Sequence, residues 1–579
     1  MFRQYIITTI VVVMCVICLV IEISLINTGY DLSDEGFHLG KYKFPQQVKA
    51  TLIRDHLYTG VIFNLINYNV GTLRLINITL LIMSSLVLGY GVKYYINRVL
   101  LHDISVEIDI NILVCAIILF QIPSLWIERV PAYNNLASFA NLAIIGLLLL
   151  SISKNKSKLL PFTIGNLMCF TAIIKPPSGI IMAILMMVLF FLNIRNRKFI
   201  FSLLIGILSL ALIHFIFIEN PLEFYSTTKN GFAHYSNFNL TGHSIIERYV
   251  SALWGNILFC LLSNKYEFFF ILFTIFFSLR YKFYKSSIYF FVLSLFYISS
   301  KHYSIGDLQG GMGLYWSLWR LYIAQFFVII IFLISIIFKY RKNFANNWFD
   351  KINITLFLII IFPLFFAFGT NNLITFNMNF YTSFFFIGTF LFSIFVLRRA
   401  KIYPSSYHLS LFIMLMTISP TYAYLHGRIV SDSYTISKAS AGNIFNNPET
   451  IDCHGKKLKV TVTTNQITNS LRNELKNHGN ELNYLINLSH MYGLNFLCDL
   501  PHPIQPWTGN MRNNFTLENI DSAIFQSSAV LYRTNDKQVF DQLSKSFPGW
   551  KISHPNSINI SYNIKNKELS LTLLLPKNE

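Results

Sequence analysis

Charged residues are scarce in this chain, and their scarcity excludes a soluble globular protein. Asp, Glu, Lys and Arg make up 13% of the 579 residues, whereas 54% are hydrophobic and the mean hydropathy is +0.49. A soluble domain of ordinary composition carries about 25% charged residues. The abundant Phe (54) and Tyr (31) are typical of lipid-embedded helices with aromatic ends at the interface. The composition therefore predicts a multi-pass membrane protein.

Cysteine is also sparse, and its spacing excludes the common structural metal sites. The seven cysteines form no Cys-x-x-Cys pair and no Cys/His cluster with zinc spacing. Five of them lie in or beside apolar segments, where a thiol is most simply a small packing residue. Cys453 and Cys498 are the two in the C-terminal tail, and we expect a disulfide if the tail faces an oxidising compartment. The alternative is two unpaired buried thiols.

Two further features are missing from the chain. No small-x-small cleavage site follows the first apolar run, so we interpret residues 7–26 as a retained membrane helix rather than a secretory signal. No basic stripe interleaved with aromatics appears in the tail, although the net charge is +19. The basic excess lies in short loops between apolar segments. It indicates contact with membrane lipids and argues against nucleic acid.

Thirteen apolar segments are predicted to cross the membrane. The fifth and sixth are short and are separated by Lys175-Pro176-Pro177, which predicts a re-entrant or tight hairpin. The segments are 7–26, 73–92, 108–127, 135–152, 159–174, 177–193, 199–218, 266–279, 286–300, 321–338, 352–368, 380–397 and 407–424.

Lys and Arg gather in every second loop between these segments, for example at 93–98, 154–158 and 398–401. The positive-inside rule then predicts a cytoplasmic N-terminus, and an odd number of spans puts the tail outside. The predicted fold is a polytopic α-helical membrane domain over residues 1–424 and a small periplasmic α/β domain over 425–579. The expected location is a bacterial inner membrane. In the tail we expect strands at 457–464, 528–534 and within 551–575, with helices at 466–478 and 536–546.

An acidic cluster follows the first predicted span, in the string YDLSDEGFHLG. Carboxylates at the mouth of a membrane bundle are costly, so they usually serve a task. If Asp34 begins a helix, His38 lies one turn later on the same face. Asp34 or Glu35 is then a candidate general base that takes a proton from an acceptor hydroxyl. The alternative is a solvated helix end with ordinary acidic caps.

This acidic pair after the first span resembles the GT-C superfamily of integral-membrane glycosyltransferases. The nearest branch comprises the protein O-mannosyltransferases and the lipid A aminoarabinose transferase. The strings VPAYNNLA (130–137), IIKPPSG (173–179) and FGTNN (368–372) are similar to motifs of that branch, in the same order. Thirteen spans with a soluble outer tail agree with it. The resemblance favours Asp34 as the base and Glu35 second, and it makes Tyr133 and Asn134 site-lining candidates beside His38.

The resemblance implies a sugar donor linked to polyprenyl phosphate, used at the outer face by an inverting mechanism. The leaving phosphate is already anionic, so it needs cations more than an acid. The candidate phosphate ligands in outer loops are Lys301, Arg320, Arg54, His56 and Lys175. For each of them the alternative is snorkelling toward lipid headgroups. No cofactor is required, and a divalent cation at the acidic cluster is left open.

The implied acceptor is an envelope glycan or a lipid-linked glycan such as lipopolysaccharide, with O-antigen glucosylation as one case. Two other classes compete with this interpretation. A lipid or oligosaccharide transporter or flippase would carry charges at mid-helix and symmetric halves, which the sequence does not display. An O-antigen polymerase or ligase would rely on Arg and His in outer loops rather than on an acidic pair.

Overall fold

A computed structural model describes most of the chain. It covers residues 2–101, 107–154, 159–193, 197–236, 351–366, 379–429, 449–478, 482–489, 491–503, 520–534, 536–564 and 567–577, with isolated residues between 247 and 337. Lys301 and Arg320 lie outside the described residues. Elements are labelled in chain order over these ranges.

The N-terminal part of the structure is helical, because its apolar runs are long and contain few helix breakers. Ten of the thirteen predicted segments coincide with helices. These helices are α1 Phe2–Ser24, α4 Val70–Tyr95, α5 Ile110–Ile127, α6 Tyr133–Lys154, α7 Leu159–Ile174, α8 Pro176–Asn193, α9 Arg197–Ile213, α11 Lys351–Phe366, α12 Thr382–Arg399 and α13 Ser406–Ile429. Helices α2 Asp34–Lys43, α3 Asp55–Leu65 and α10 Pro221–Ser236 lie in the connections.

Five helices among the described residues are long and apolar enough to cross a membrane. They are Phe2–Ser24, Val70–Leu100, Tyr133–Ser153, Arg197–Ile218 and Asn379–Arg399. Four apolar helices are shorter, namely Ile110–Leu125, Leu159–Ile174, Pro176–Leu189 and Ile354–Pro363. The segments 266–279, 286–300 and 321–338 lie wholly or mostly outside the described residues, so the number thirteen stays a prediction.

The short pair α7 and α8 forms a hairpin that turns at Lys175. Pro176 begins α8, where a missing backbone N–H costs nothing because the first helical amides have no partner in the helix. Gly179 stacks so closely on α7 that an added Cβ would lie 2.3 Å from the Ala172 Cα atom. The turn therefore brings Lys175 to one end of the helical bundle.

Every second connection between the apolar helices lies at the end of the bundle that holds Lys175. Side chains from one connection donate hydrogen bonds to another, whereas Arg398 and the Val99 carbonyl meet at the opposite end (3.0 Å). The contacts at the first end are Arg129 to the Leu25 carbonyl (2.5 Å), Lys175 to the Phe366 carbonyl (3.4 Å) and Arg54 to Glu219 (3.1 Å). This grouping of loops is the one that the alternation of basic loops predicts. We refer to this end, with Asp34, Glu128 and Lys175, as the acidic end.

The tail combines two small sheets with helices. Strands β1 Glu449–Cys453 and β2 Lys456–Val460 form an antiparallel hairpin whose turn, His454-Gly455, has positive φ at both residues, as a two-residue type I′ turn requires. Helix α14 Val462–Asn477 follows, because the Thr461 side chain accepts from the Thr464 amide (3.1 Å) and caps it. The predicted strand 457–464 therefore ends earlier than expected.

A four-stranded sheet completes the tail. The strands are β3 Tyr484–Asn487, β4 Ser528–Arg533, β5 Asn556–Ile564 and β6 Lys567–Leu575, in the order β3-β4-β6-β5. The β3–β4 pair is parallel and the other two pairs are antiparallel. The connecting helices are α15 Gly493–Leu497, α16 Ser522–Gln526, α17 Lys537–Ser546 and α18 Trp550–Ser553.

The tail shares one apolar core with the connection between α1 and α4. Tyr30 and Phe63 of this first connection pack in the same cluster as Phe496 and Leu573 of the tail. The ring centroids of Phe63 and Phe496 are 5.7 Å apart. The tail is therefore docked on the first connection, which holds the predicted acidic pair.

Candidate functional site

Helix α2 starts the site, and its N-terminus is organised by Asp31. The Asp31 carboxylate accepts hydrogen bonds from the Ser33 amide (2.9 Å) and the Asp34 amide (3.0 Å), and so caps the helix. An anion at this position also interacts favourably with the helix dipole. Asp34 and Glu35 then fall in the first turn, as the sequence predicts, with His38 one turn later.

The Asp34 carboxylate has no hydrogen bond or ion pair among the described residues. Its side chain is exposed, whereas Glu35, Gly36, Phe37 and His38 are buried. Protein atoms nevertheless crowd the exposed carboxyl group, and this partial loss of water, together with the charge of Asp31, raises the pKa of Asp34 to about 7. Asp34 is thus an accessible carboxylate whose pKa suits a base near neutral pH.

Glu35 lies in the opposite environment. Its two oxygens accept hydrogen bonds from Arg74 Nε and Nη2, both at 2.7 Å, in a buried bidentate pair. Burial by itself would raise the pKa of Glu35, but Arg74 and Arg129 outweigh it and lower that pKa below its ordinary value. Arg74 also donates to the Ile26 and Gly29 carbonyls at 2.7 Å. Glu35 therefore ties α2 to the end of α1 and to α4.

A second, buried network follows along the same face of α2. Lys41 Nζ lies 2.6 Å from Asp55 Oδ1, and the Tyr42 hydroxyl donates to Asp55 Oδ2 at 2.9 Å. His38 Nδ1 is 3.7 Å from Asp55 Oδ2. Burial, and next the nearby Lys41 charge, lowers the pKa of His38 well below its usual value, so the imidazole is neutral at pH 7. Lys41 and Asp55 are not among the predicted site residues, although Lys41 follows Asp34 at the i+7 spacing of one helix face.

Glu128 is a further acidic residue that sequence reasoning missed. It follows α5 directly and is 9% exposed. Its Oε1 accepts from Asn134 Nδ2 at 2.7 Å, whereas Oε2 has no hydrogen-bond partner within the described part of the chain. Burial, and to a lesser extent the Asp55 and Asp34 charges, raises the pKa of Glu128 to about 8. Glu128 therefore carries a proton at neutral pH.

Lys175 belongs to the same network as Glu128 and Asn134, which is separate from the network of Lys41 and Asp55. Its Nζ donates to Asn134 Oδ1 at 3.0 Å and to the Phe366 carbonyl at 3.4 Å. No carboxylate oxygen among the described residues lies within salt-bridge distance of it. Burial, partly offset by Glu128, lowers the pKa of Lys175 to about 7. The predicted site-lining residue Asn134 is thus the bridge between Glu128 and Lys175.

The ring of Tyr133 lies close to both networks, the one of Lys41 and Asp55 and the one of Glu128, Asn134 and Lys175. Its ring centroid is 5.9 Å from Lys41 Nζ and 5.8 Å from Lys175 Nζ, and 6.1 Å from the His38 ring. Each ammonium is therefore placed for a cation–π contact with the same ring. The structure therefore brings the predicted residues His38, Asn134 and Lys175 close to Tyr133, which is also a predicted site residue.

Arg54 and His56 are also buried at this end, but Arg54 is saturated by protein partners. Its guanidinium donates to both Glu219 oxygens (3.1 and 3.2 Å), to the Thr51 and Phe224 carbonyls and to the Thr228 hydroxyl. This geometry makes Arg54 a clamp between α3 and α10. His56 is 3% exposed and its Nδ1 has no partner within the described ranges.

The predicted disulfide is not formed in this structure. Cys453 and Cys498 are both free thiols, and both pack in the apolar core that the tail shares with the first connection. Burial raises the pKa of each thiol to about 12. The thiols are unpaired, as in the alternative, with Cys453 buried and Cys498 half-buried.

The chemistry that the described residues offer is acid–base and electrostatic. They contain no group of three or more His, Cys, Asp or Glu side chains arranged to hold a metal ion. A cavity of about 10 Å³ between Glu22, Arg74 and Arg129 has room for one water. Comparisons with protein-family models, with curated proteins and with solved structures gave no match.

Proposed function

We propose that this protein is a membrane glycosyltransferase that moves a sugar from a polyprenyl-phosphate donor to an envelope glycan or a lipid-linked glycan. The proposed reaction takes place at the acidic end, on the periplasmic side of a bacterial inner membrane. The acceptor class includes lipopolysaccharide, with O-antigen glucosylation as one case.

The observation that carries the proposal is the contrast between Asp34 and the other carboxylates around it. Glu35 and Asp55 are each held by a buried cation, and Asp31 is used as a helix cap. Asp34 alone in this group of four is exposed and unpaired, with a pKa near 7. A carboxylate kept accessible and weakly basic in this way suits general-base catalysis.

In the proposed mechanism Asp34 takes the proton from an acceptor hydroxyl as its oxygen attacks the anomeric carbon of the donor. The bond between that carbon and the phosphate oxygen breaks, and its electron pair leaves with polyprenyl phosphate. Attack from the side opposite the phosphate inverts the anomeric configuration. One base is sufficient, because the leaving group is already an anion.

Lys175 is the proposed phosphate ligand for this step. It carries no carboxylate partner among the described residues, and its ammonium lies 5.8 Å from the Tyr133 ring centroid, close to the α2 network through that shared ring. A phosphate oxygen near Lys175 would restore the charged form of the amine, since an adjacent anion raises a lysine pKa. Arg54 is not proposed as a ligand, because protein groups use its donors.

The test is sugar transfer by the full-length Asp34→Asn variant in proteoliposomes. A panel of radiolabelled polyprenyl-phosphate hexoses is supplied with lipopolysaccharide, and label transfer is counted. We expect a loss of roughly 10²- to 10⁴-fold, the usual contribution of a general base. Asp541→Asn, on the exposed face of α17, is the matched control and should transfer at the parent rate. Full activity in folded Asp34→Asn would refute this mechanism.

A further inference from the structure

The C-terminal tail contacts the first connection on both sides of Asp34. The Gly493 amide, at the start of α15, donates to the Leu32 carbonyl at 2.7 Å. Four residues further along the first connection, Gly36 meets the same glycine, and a Cβ added to Gly36 would lie 2.2 Å from the Gly493 Cα atom. Asp34 lies midway between Leu32 and Gly36.

Backbone pairing fixes the segment that leads to this contact. The Gly29 amide donates to the Lys459 carbonyl (2.8 Å), and the Lys459 amide donates to the Asn27 carbonyl (2.9 Å). The segment after α1 therefore forms an isolated parallel bridge, between Thr28 and Lys459, with β2 of the tail. These bonds hold the start of the first connection independently of side-chain packing.

Aromatic and charged contacts hold the segment on both sides of α2. The Tyr30 hydroxyl donates to the Gly493 carbonyl at 3.2 Å, and Phe37 packs edge-on against Tyr492. At the end of α2, Lys43 Nζ lies 2.6 Å from Asp499. Helix α2, which carries Asp34, is therefore attached to the tail at three places. These are Tyr30 before the helix, Phe37 in its first turn and Lys43 at its last residue.

We infer that the tail is a positioning element for Asp34 and that Gly493 and Tyr30 set the place of its carboxylate. The inference rests on the proposed function, since it assigns the tail a part in the same reaction. The physical reason is that Gly493 contacts the backbone on both sides of Asp34. A backbone held by Gly493 at Leu32 and at Gly36 leaves the intervening turn little freedom to move toward or away from a substrate. A shift of about 1 Å in a catalytic group reduces turnover by as much as 10²-fold.

Gly493→Ala in the full-length chain tests the inference. The new methyl would lie 2.8 Å from a Tyr30 ring carbon and 3.1 Å from the Gly36 Cα atom, so α2 and α15 must move apart. We expect kcat for sugar transfer to fall at least tenfold, with a small change in KM for the donor. Gly255→Ala is the control, because its added methyl meets no atom of the described residues within 4 Å and the parent kcat should remain.

A second readout does not depend on transferase activity. Asp34→Cys is introduced with and without Gly493→Ala, and the rate at which a water-soluble maleimide labels the introduced thiol is followed by mass spectrometry. We expect the rate to change at least fivefold when Gly493→Ala is added. If the parent protein transfers no sugar, such a change would still support the positioning role, while the proposed function would be refuted.

Unchanged labelling of the introduced thiol would overturn the inference, whether or not kcat falls, because the side chain at position 34 would then not have moved. If Gly493→Ala does not fold, Tyr30→Phe takes its place, since it removes only the hydroxyl that bonds the Gly493 carbonyl. For Tyr30→Phe we expect a twofold to fivefold change in the labelling rate. A rate equal to that of the parent would equally overturn the inference.

Discussion

Two adjacent carboxylates show how environment divides the work between residues of the same chemistry. Asp34 and Glu35 stand side by side in one helical turn, so their side chains diverge by about 100° around the helix axis. One points to accessible space and the other to Arg74 in the protein interior. The sequence predicts the pair and its position, but not this division, because the choice depends on where Arg74 from α4 lies.

The pH dependence of transfer follows from the Asp34 pKa. In the proposed mechanism the base must be ionised, so kcat/KM should rise with pH toward a midpoint near 7, and loss of the Lys175 proton, whose pKa is also about 7, should lower it again at higher pH. Below the midpoint the rate should fall about tenfold per pH unit, since only the ionised fraction reacts. A pH series of kcat/KM in proteoliposomes measures this. A midpoint near pH 4 would contradict the raised pKa.

Glu35 and Arg74 are expected to matter for stability. Glu35→Gln leaves the Arg74 guanidinium buried without its anion, which typically costs about 3–5 kcal/mol of unfolding free energy. The double variant Glu35→Gln/Arg74→Met removes both members of the ion pair, so neither is left buried without the other, and it should lose less. Thermal unfolding in detergent measures both. Equal losses in the single and double variants would show that the ion pair is not what the single change breaks.

At the scale of elements, the apolar helices pack through glycines where two backbones come close. A Cβ on Gly146 of α6 would lie 2.6 Å from the Val87 carbonyl oxygen and 2.7 Å from the Leu88 Cα atom of α4. Small residues at such crossings let membrane helices approach without a hydrophobic driving force between them. Helices α4 and α6 carry Arg74 and Tyr133, so this crossing sets the distance between two parts of the candidate site.

We therefore expect Gly146→Ala to destabilise the protein by about 1–3 kcal/mol, the usual cost of forcing a methyl into a packed contact. Gly255→Ala should be neutral or slightly stabilising, because within the described part of the chain its methyl meets no atom and because Ala favours the helix. Thermal unfolding of the two variants in the same detergent makes the comparison. No difference between them would mean that the α4–α6 crossing tolerates the methyl.

Helices were predictable from the sequence and the contacts between distant connections were not. Long apolar runs and the break at Lys175-Pro176 fix α1 and the α7–α8 hairpin directly. Helix α2 is short and polar, and α3 is too short to span a membrane, so the sequence predicts only a long outer loop around them. Glu128 carries no sequence signal of its own beyond its place before Val130-Pro131. Its place in the site is apparent only from the hydrogen bond that Asn134 donates to it.

At the scale of the whole molecule, alternate connections meet at the same end of the bundle, and basic residues are enriched at the other. Lys93, Arg98, Arg398 and Arg399 lie on helices that end away from the acidic end. Positively charged connections stay in the cytoplasm during membrane insertion. This asymmetry is the physical basis for the proposal that Asp34 and the tail lie together on the outer face.

Single cysteines at exposed positions test that orientation. Asp452→Cys, in β1 of the tail, should react with a membrane-impermeant maleimide in intact spheroplasts. Glu107→Cys, which is exposed near the start of α5, should react only after the membrane is opened, because it lies at the basic end. Background labelling of the native thiols is measured on the parent chain. The reverse pattern would put Asp34 in the cytoplasm. Nucleotide-activated sugars are available there, so the argument for a polyprenyl-phosphate donor would no longer hold.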